Sequence, residues 1–363
     1  MNAIIRKILK SVIWILLPLG VLHWVIVYIR NFLYDHHILK ISRLPLPVIS
    51  IGNLQMGGTG KTPLTIEMIS YLQSKNYRVG VLTRGYKRKS KEPLIVTSEN
   101  ESSVELLGDE PSIILKHLKN GVLGVGRDRF QVGQKMLMKH DLDVLVLDDG
   151  YQHRQLHRDM DVCLIDVSRW SNHPFLFPFS FLRDTRSSLK RADVLVCTRA
   201  ENNLNRLTDI ENQIHSFTEA PILTAKFVLE DFYTLEGKII PGEEVQTFSS
   251  FGAFCGIGNP HQFYDFLEKS LGFHLEWKWS FPDHFWYDDE RLLQALNDAR
   301  EKGVEVLFTT EKDALKLFLC KESLGNWQQN IWVVKVRLEV DKFEFITNRV
   351  EENIKRYRNQ KKY

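Results

Sequence analysis

A glycine-rich hexapeptide is the first part of the chain whose residue types and spacing could do chemistry. It reads Gly57-Gly58-Thr59-Gly60-Lys61-Thr62 and follows the apolar run 47–52. Glycines allow backbone N–H groups to face phosphates, and the N-terminus of a following helix adds positive potential. A lysine at this spacing reaches the β- and γ-phosphates, and the next hydroxyl can bind Mg²⁺. The hexapeptide therefore predicts an ATP-binding phosphate loop, although Gln55 stands where the strict motif has glycine.

Two adjacent carboxylates, Asp148 and Asp149, end the second stretch that could do chemistry. They follow the apolar run 144–147, which predicts a buried strand. Phosphate-loop enzymes hold their metal with an acidic residue at the end of a neighbouring strand, where ligands of open α/β sheets bind. Adjacent strand residues point to opposite sides. We therefore expect one of the two to contact Mg²⁺, together with Thr62, and the other to act through water or in another role.

The elements that must position these residues alternate along the chain. Apolar runs at 47–52, 77–83, 143–149, 161–166 and 192–198 are separated by segments with helical character. This pattern predicts an α/β fold with a P-loop NTPase-like, mostly parallel sheet covered on both faces. Beyond about residue 225 a hairpin and a strand–glycine–helix segment predict a second, smaller α/β domain. We therefore divide the chain into residues 1–40, a membrane-associated N-terminal helix, residues 41–225, a P-loop kinase domain, and residues 226–363, a domain closing over the active-site cleft.

The N-terminal segment 11–29 is apolar over roughly 19 residues, close to the length that spans a bilayer. Basic residues flank it on both sides, and Trp24 and Tyr28 suit the headgroup level of a membrane. Pro18 and Gly20 weaken a spanning helix. We predict a hydrophobic helix that lies on or dips into an anionic leaflet. The alternative is a helix packed on the folded domain.

The composition argues against a nucleic-acid-binding protein, and it leaves a membrane-associated ATPase open as the alternative to a kinase. The 363 residues carry 48 basic and 45 acidic side chains, so a net charge of +3 gives no footprint for nucleic acid. The four cysteines form no CxxC pair, which favours thiols in a reducing compartment. A membrane-associated P-loop ATPase of the cargo-partitioning or targeting type remains the alternative to a kinase. It would dimerise with ATP and need no base for an acceptor.

The order of further motifs resembles one family. The chain contains, in sequence, PVISIGNLQMGGTGKTP, LTRGYKR, GDEP, LDDGYQHRQLHRD, FLRDT, GIGNPHQF, FPDH and TTEKD. This set resembles the tetraacyldisaccharide 4′-kinases, which phosphorylate the 4′-hydroxyl of the lipid A disaccharide precursor. The resemblance runs from the N-terminal apolar segment to about residue 315.

The resemblance implies roles for residues that spacing alone does not single out. It implies a base built from Asp109 of GDEP and His284 of FPDH, assembled when the two domains close. A sugar hydroxyl needs such a group to accept its proton. It also implies that His153 contacts ATP, and that Arg183 and either Arg127 or Arg129 stabilise charge on the phosphoryl group.

One segment departs from the family pattern. The family reads close to P-x-G-P-L-R-E-P, whereas this chain has PFSFLRDT at 178–185. Asp184 replaces a glutamate, which shortens the carboxylate by one methylene and weakens the expectation of a metal or substrate contact. The family also implies an acylated disaccharide lipid as substrate and work at the cytoplasmic face of the bacterial inner membrane. We expect a monomer.

Overall fold

The computed structural model describes residues 3–86, 88–99, 103–173, 175–201 and 203–360, with side chains from residue 18 onward. The α-helices are α1 (Ala3–Asp35), α2 (Lys61–Ser74), α3 (Val104–Leu107), α4 (Asp109–His117), α5 (Arg129–Leu137), α6 (Leu204–His215), α7 (Gly242–Val245), α8 (Pro260–Leu271), α9 (Asp289–Glu301), α10 (Glu311–Leu317), α11 (Lys321–Leu324), α12 (Trp327–Asn330) and α13 (Phe343–Gln360). The strands are β1 (Val48–Asn53), β2 (Val79–Thr83), β3 (Leu94–Thr97), β4 (Val122–Val125), β5 (Val144–Asp148), β6 (Met160–Asp166), β7 (Val194–Thr198), β8 (Ile222–Thr234), β9 (Ile239–Ile240), β10 (Phe251–Cys255), β11 (Trp277–Ser280), β12 (Val306–Thr310) and β13 (Ile331–Val340).

One sheet runs through the whole molecule, in the order β11-β10-β12-β13-β8-β7-β6-β1-β5-β2-β4-β3, with β9 paired to β8. The pairs β8–β13, β8–β9 and β3–β4 are antiparallel, and the other pairs are parallel. Val, Leu and Ile are the commonest residues of β1, β5, β6 and β7, whose residues are buried throughout, as expected for strands covered on both faces. The prediction of a mostly parallel α/β sheet is confirmed.

The long antiparallel pair β8–β13 joins the two halves of this sheet. Its register runs from Trp332 opposite Thr234 to Val340 opposite Ala225. The predicted boundary between residues 225 and 226 therefore lies inside β8. The C-terminal helix α13 returns to the first half, where Ile346, Val350 and Ile354 join its core. The division into a kinase domain and a smaller closing domain stays a prediction.

Strand β1 and helix α2 frame the phosphate loop as the sequence predicts. Strand β1 lies between β5 and β6, so the loop that follows it is at the middle of the first half. The acidic end of β5 pairs directly with β1, with Ile51 opposite Asp148. The carboxyl ends of these parallel strands thus bring the loop and the carboxylates to the same edge.

Helix α1 covers the predicted apolar segment and packs one side on the first half. Val27, Asn31 and Tyr34 are buried, whereas Leu22 and Ile26 are 55% exposed. Among the residues whose side chains the structure describes, no helix combines the length and the hydropathy needed to cross a bilayer. The membrane attachment of α1 stays a prediction.

Candidate active site

The phosphate loop has the backbone geometry that only glycines accept easily. Gly57 and Gly60 have φ values of 102° and 96°, in the left-handed region. A Cβ on Gly60 would also lie 3.1 Å from the Phe227 ring. Gly58 has no atom within 4 Å of the position that a Cβ would take. The loop is therefore open to a ligand at Gly58 and tightly supported on either side of it.

Side chains from neighbouring strands fix the loop. The Asn53 amide donates to Thr59 Oγ1 at 2.6 Å, and the Thr198 hydroxyl donates to the Thr59 carbonyl at 3.2 Å. Lys61 and Thr62 occupy the first two positions of α2. Their backbone N–H groups lie among those that a helix leaves without intrahelical partners. This is the local arrangement that binds phosphate at a helix N-terminus.

Asp148 ends β5 and Asp149 begins the turn after it, and the two side chains have different surroundings. Asp148 is buried and accepts hydrogen bonds from Thr65 at 3.0 Å and Thr83 at 3.2 Å. Burial, together with the negative charges of Glu110 and Asp149, raises the pKa of Asp148 to about 7. Asp149 has a φ of 50°, in the left-handed region that few non-glycine residues adopt.

Cationic side chains converge on Asp149. Lys61 Nζ lies 3.6 Å from Asp149 Oδ1, and Arg183 Nη1 donates to Asp149 Oδ2 at 3.2 Å. Burial alone would raise the pKa of Asp149, but Lys61 and Arg183 outweigh it and hold that pKa far below its usual range. Arg129 also contributes to this lowering. Lys61, Arg183 and Arg129 thus place three positive charges around Asp149, as expected where a triphosphate binds.

His153 lies beside Arg129, one of the cations that act on Asp149. Arg129 Nη1 donates to His153 Nδ1 at 3.2 Å, which makes Nδ1 the acceptor and leaves the ring proton on Nε2. Burial and the Arg129 charge lower the pKa of His153 to about 3, so the ring is neutral at pH 7. His153 Nε2 is buried without a partner among the described residues. An unpaired buried donor beside a phosphate loop suits an anionic ligand. Arg129 is buried and Arg127 is exposed, so the geometry favours Arg129 of the two.

A second group links α4 of the first half to α10 and the loop after β11 in the second half. His284 Nδ1 lies 2.9 Å from Asp109 Oδ2, and Lys316 Nζ lies 2.9 Å from the same oxygen. Burial alone would raise the pKa of Asp109, but the hydrogen bonds from His284 and Lys316 reverse this and lower it. His284 has a φ of 60°, a second strained backbone in the site. The carboxylate is thus ionised, oriented and supported by a lysine that is 1% exposed.

Glu110 connects this group to the phosphate loop. Its Oε1 lies 2.7 Å from Lys312 Nζ, and attraction to Lys312 is the main cause that lowers the pKa of Glu110. Lys61 contributes to the same lowering and Asp149 opposes it. The first-turn carboxylates of α4 therefore lie in the electrostatic field of the phosphate loop, with α10 supplying a lysine to each.

Comparison with known proteins decides the family. The family model described as tetraacyldisaccharide-1-P 4′-kinase matches residues 12–355. The tetraacyldisaccharide 4′-kinase of Aquifex aeolicus is 38% identical over 304 residues, which are 83% of this chain and 89% of that protein. The Haemophilus influenzae protein of the same name is 33% identical over 332 residues, 91% of this chain and 90% of its own. This chain belongs to the tetraacyldisaccharide 4′-kinase family. The predicted resemblance is confirmed.

A solved structure of a tetraacyldisaccharide 4′-kinase supports the fold over nearly the whole chain. The crystal structure titled as the "apo" form of LpxK from Aquifex aeolicus in complex with ATP superposes with a TM-score of 0.75 at 33% identity. The match covers 93% of this chain and 98% of that one. The partitioning-ATPase alternative is not favoured.

The departure from the family's segment has a structural account. Asp184 is fully buried and faces α1 rather than the phosphate loop, because its carboxylate accepts a hydrogen bond from Asn31 at 2.7 Å. The preceding residue, Arg183, is the one that reaches Asp149. The structure therefore gives no metal or phosphate contact to Asp184 among the residues that it describes.

Three residues of this tetraacyldisaccharide 4′-kinase site were not predicted from the sequence: Glu110, Lys312 and Lys316. Glu110 lies in the GDEP motif and Lys312 in TTEKD, so motif membership could have suggested both. Lys316 lies one helical turn beyond Lys312, on the same side of α10. That spacing was the only available signal for it.

Proposed function

We propose how this chain performs the reaction of its family. The γ-phosphate of ATP passes to the 4′-hydroxyl of the tetraacyldisaccharide 1-phosphate precursor of lipid A. The 4′-oxygen forms a bond to the γ-phosphorus, the bond to the β–γ bridging oxygen breaks, and ADP leaves. Asp109 accepts the hydroxyl proton, while His284 and Lys316 orient its carboxylate.

The observation that carries this proposal is the position of Asp109. His284 and Lys316 both engage its Oδ2, so Oδ1 is the oxygen that can accept a proton from a sugar hydroxyl. The lowered pKa keeps the carboxylate ionised at neutral pH. A partitioning ATPase would have no use for an ionised base held across the two halves of the sheet.

The cations around Asp149 supply the second part of the proposal. Lys61 contacts the β- and γ-phosphates, and Arg183 and Arg129 stabilise charge that develops on the transferring group. The Nε2–H group of His153 donates to the nucleotide. Each of these side chains is held by a second group, so little reorganisation is needed at the moment of reaction.

The residues fit Mg²⁺ held by Thr62 and Asp148, with Asp149 nearby. Asp148 is a buried carboxylate that is repelled by two neighbouring carboxylates, and such a group favours a cation. Within the described residues no group of three or more His, Cys, Asp or Glu side chains could hold a metal ion. Mg²⁺ in kinase sites is usually bound by one or two carboxylates together with substrate phosphates. It would neutralise charge on the β- and γ-phosphate oxygens.

The substrate carries acyl chains, and we propose that the kinase meets it at the cytoplasmic face of the inner membrane. Phe175, Phe177 and Phe181 are about half exposed, at 49%, 50% and 49%. Their segment packs against α1, where His23 Nδ1 lies 3.0 Å from the Phe177 carbonyl. This apolar surface continues the exposed side of α1. Flotation with anionic vesicles tests it, because Phe177→Ser should weaken binding and unchanged binding would contradict the idea.

The reaction is tested by incubating detergent-solubilised protein with γ-labelled ATP, Mg²⁺ and the tetraacyldisaccharide 1-phosphate. Label should appear in the lipid, and Asp109→Asn or Lys61→Ala should lower its rate by about a hundredfold or more. Asp209→Asn, at an exposed position of α6, is the matched control and should leave the rate unchanged.

The outcomes separate the parts of the proposal. Lipid labelling that is indifferent to Asp109 would refute the base. Label released only as inorganic phosphate, with or without lipid, would refute the kinase and restore the ATPase alternative.

A further inference from the structure

Residues 153–154 and 183–184 lie between the nucleotide site and α1, and we call these two segments the wall. Arg183 and Asp184 are consecutive residues whose side chains lie on opposite sides of it. Their segment pairs with the approach to the phosphate loop, since the Arg183 N–H donates to the Leu54 carbonyl at 3.0 Å. Arg183 reaches Asp149, while Asp184 reaches Asn31 of α1.

The Asp184 carboxylate is fully buried, so its oxygens need hydrogen-bond partners within the protein. Oδ1 accepts from the Asn31 amide at 2.7 Å and from the Thr185 N–H at 2.8 Å. Oδ2 lies 3.3 Å from Arg191 and 3.4 Å from Arg30. The shortest of these contacts is the one from Asn31. Helix α1 thus supplies the closest hydrogen-bond partner of Asp184, the residue directly after Arg183.

A second pair of consecutive residues repeats the arrangement. His153 contacts Arg129 on the nucleotide side, and Arg154 turns to α1. Arg154 donates to the Asn31 carbonyl at 3.1 Å and to the Asp35 carboxylate at 2.8 Å. Asn31 is 8% exposed and therefore contacts both segments of the wall, one through its side chain and one through its backbone.

We propose that Asn31 and Asp184 are positioning residues for Arg183 in phosphoryl transfer. The last two turns of α1, seated on Asp184, hold Arg183 against the phosphate site. This inference rests on the proposed function, because it uses the role given there to Arg183. Neither Asn31 nor Asp184 touches the reacting atoms.

The effect of losing the contact follows from the geometry. Without the Asn31 amide, Asp184 Oδ1 keeps only a local hydrogen bond, and the end of α1 loses a side-chain attachment to the wall. The 183–184 backbone then has one fewer anchor, and Arg183 can shift from its place beside Asp149. A misplacement of about 1 Å in a catalytic group can lower a rate by about a hundredfold. Binding of ATP to the glycines and Lys61 does not depend on this anchor.

A double-mutant cycle between Asn31 and Arg183 tests the inference on the full-length kinase. The variants Asn31→Ala, Arg183→Ala and their combination are compared for kcat and for KM of ATP, with the lipid acceptor saturating. We expect Asn31→Ala to lower kcat about tenfold or more, with KM for ATP changed less than about twofold. In the Arg183→Ala background the same change should lower kcat less than about twofold, since its target is gone. Asn212→Ala, at an exposed position of α6, is the matched control and should leave both constants unchanged.

Each result of the cycle decides one question. If Arg183→Ala alone leaves kcat unchanged, the role proposed for Arg183 fails, and the positioning inference falls with it. If Arg183→Ala lowers kcat but Asn31→Ala is equally harmful in both backgrounds, the inference is overturned and the proposed function stands. Thermal melting shows whether Asn31→Ala folds. If it does not, Asn31→Ser takes its place in the cycle, with the same expectations.

Discussion

Lys316 offers the sharpest test of the base, because its charge and its burial predict a pH-dependent defect. Its ammonium is 1% exposed and lies 2.9 Å from Asp109 Oδ2. Two unit charges at that distance interact by roughly 6 kcal/mol at an effective dielectric constant of about 20. Activity depends only on how strongly Lys316 favours the ionised over the protonated form of Asp109. A neighbouring cation typically favours the ionised form of a carboxyl group by about 1.4 to 4 kcal/mol. Lys316→Met keeps the volume of the side chain and removes this charge.

The sign of the effect follows from the groups around Asp109. Burial raises the pKa of Asp109, and His284 and Lys316 lower it below its usual value. Removing Lys316 leaves burial opposed by His284 alone, so the pKa of Asp109 moves up. At acid pH more of the carboxylate is then protonated and cannot accept the substrate proton. The variant should therefore be most impaired at low pH and recover as the pH rises.

The assay is kcat/KM for lipid phosphorylation from about pH 8 down to about pH 4, because the pKa of Asp109 in the wild type lies below its usual value. The ratio of wild-type to variant activity should be near one at about pH 8, where Asp109 is ionised in both, and should rise towards about tenfold as the pH falls towards about 4, since 1.4 kcal/mol corresponds to a factor of ten. Lys316→Arg keeps the charge and should retain the wild-type profile. Lys321→Met removes an exposed ion pair with Glu236 and should change the ratio little at any pH. A Lys316→Met deficit that is the same at every pH would refute the electrostatic role.

Three further outcomes are expected. Hydrogen bonds from Arg78 outweigh burial and hold the pKa of Asp143 at about 2, so Asp143→Asn should lower the free energy of unfolding at pH 7 by about 1 kcal/mol or less, and this difference should vanish as the pH falls towards about 2. Denaturation with urea at several pH values measures it, and a difference that persists in acid would contradict the assignment. Gly58→Ala should leave the melting temperature unchanged, because no atom lies within 4 Å of the added Cβ, yet weaken ATP binding measured by calorimetry, and unaltered binding would show that the ligand does not approach there. His153→Phe should weaken ATP binding by roughly ten- to a hundredfold through loss of one donor to a charged group. This loss should be the same at pH 6 and pH 8, because burial and Arg129 hold the pKa of His153 at about 3, and a loss that varies with pH would contradict a neutral donor.

The sequence predicted most accurately what depends on residues close together in the chain. The phosphate loop, its flanking strand and helix, and the carboxylates at the end of β5 lie in short segments with their own pattern. The prediction that Asp148 and Asp149 differ in role rested on strand alternation, but Asp149 lies beyond the end of β5 and has a left-handed φ of 50°. The order of strands across the sheet was also out of reach of local pattern, because it depends on pairing between distant segments. The continuity through β8 and β13 could not be read from either strand alone.

The base illustrates the same limit. Asp109 and His284 are 175 positions apart, and only the family resemblance joined them before the structure placed them 2.9 Å apart. Lys316 carried no such hint, because a lysine in an amphipathic helix is normally solvated. Its burial is explained only by the packing of α10 against the first turn of α4. A buried ammonium is expensive without a partner, and Asp109 is the carboxylate within reach.

The wall beside α1 shows what local pattern can and cannot supply at one place. The family resemblance predicted that Arg183 faces the phosphoryl group, but no local pattern indicated what Asp184 contacts. The structure assigns Arg183 to the site and Asp184 to Asn31. The Asp184 carboxylate therefore faces α1, where it accepts a hydrogen bond from the Asn31 amide at 2.7 Å. A longer side chain at 184 would require α1 to move away, and Asn31 and Asp184 should therefore tolerate change only as a pair.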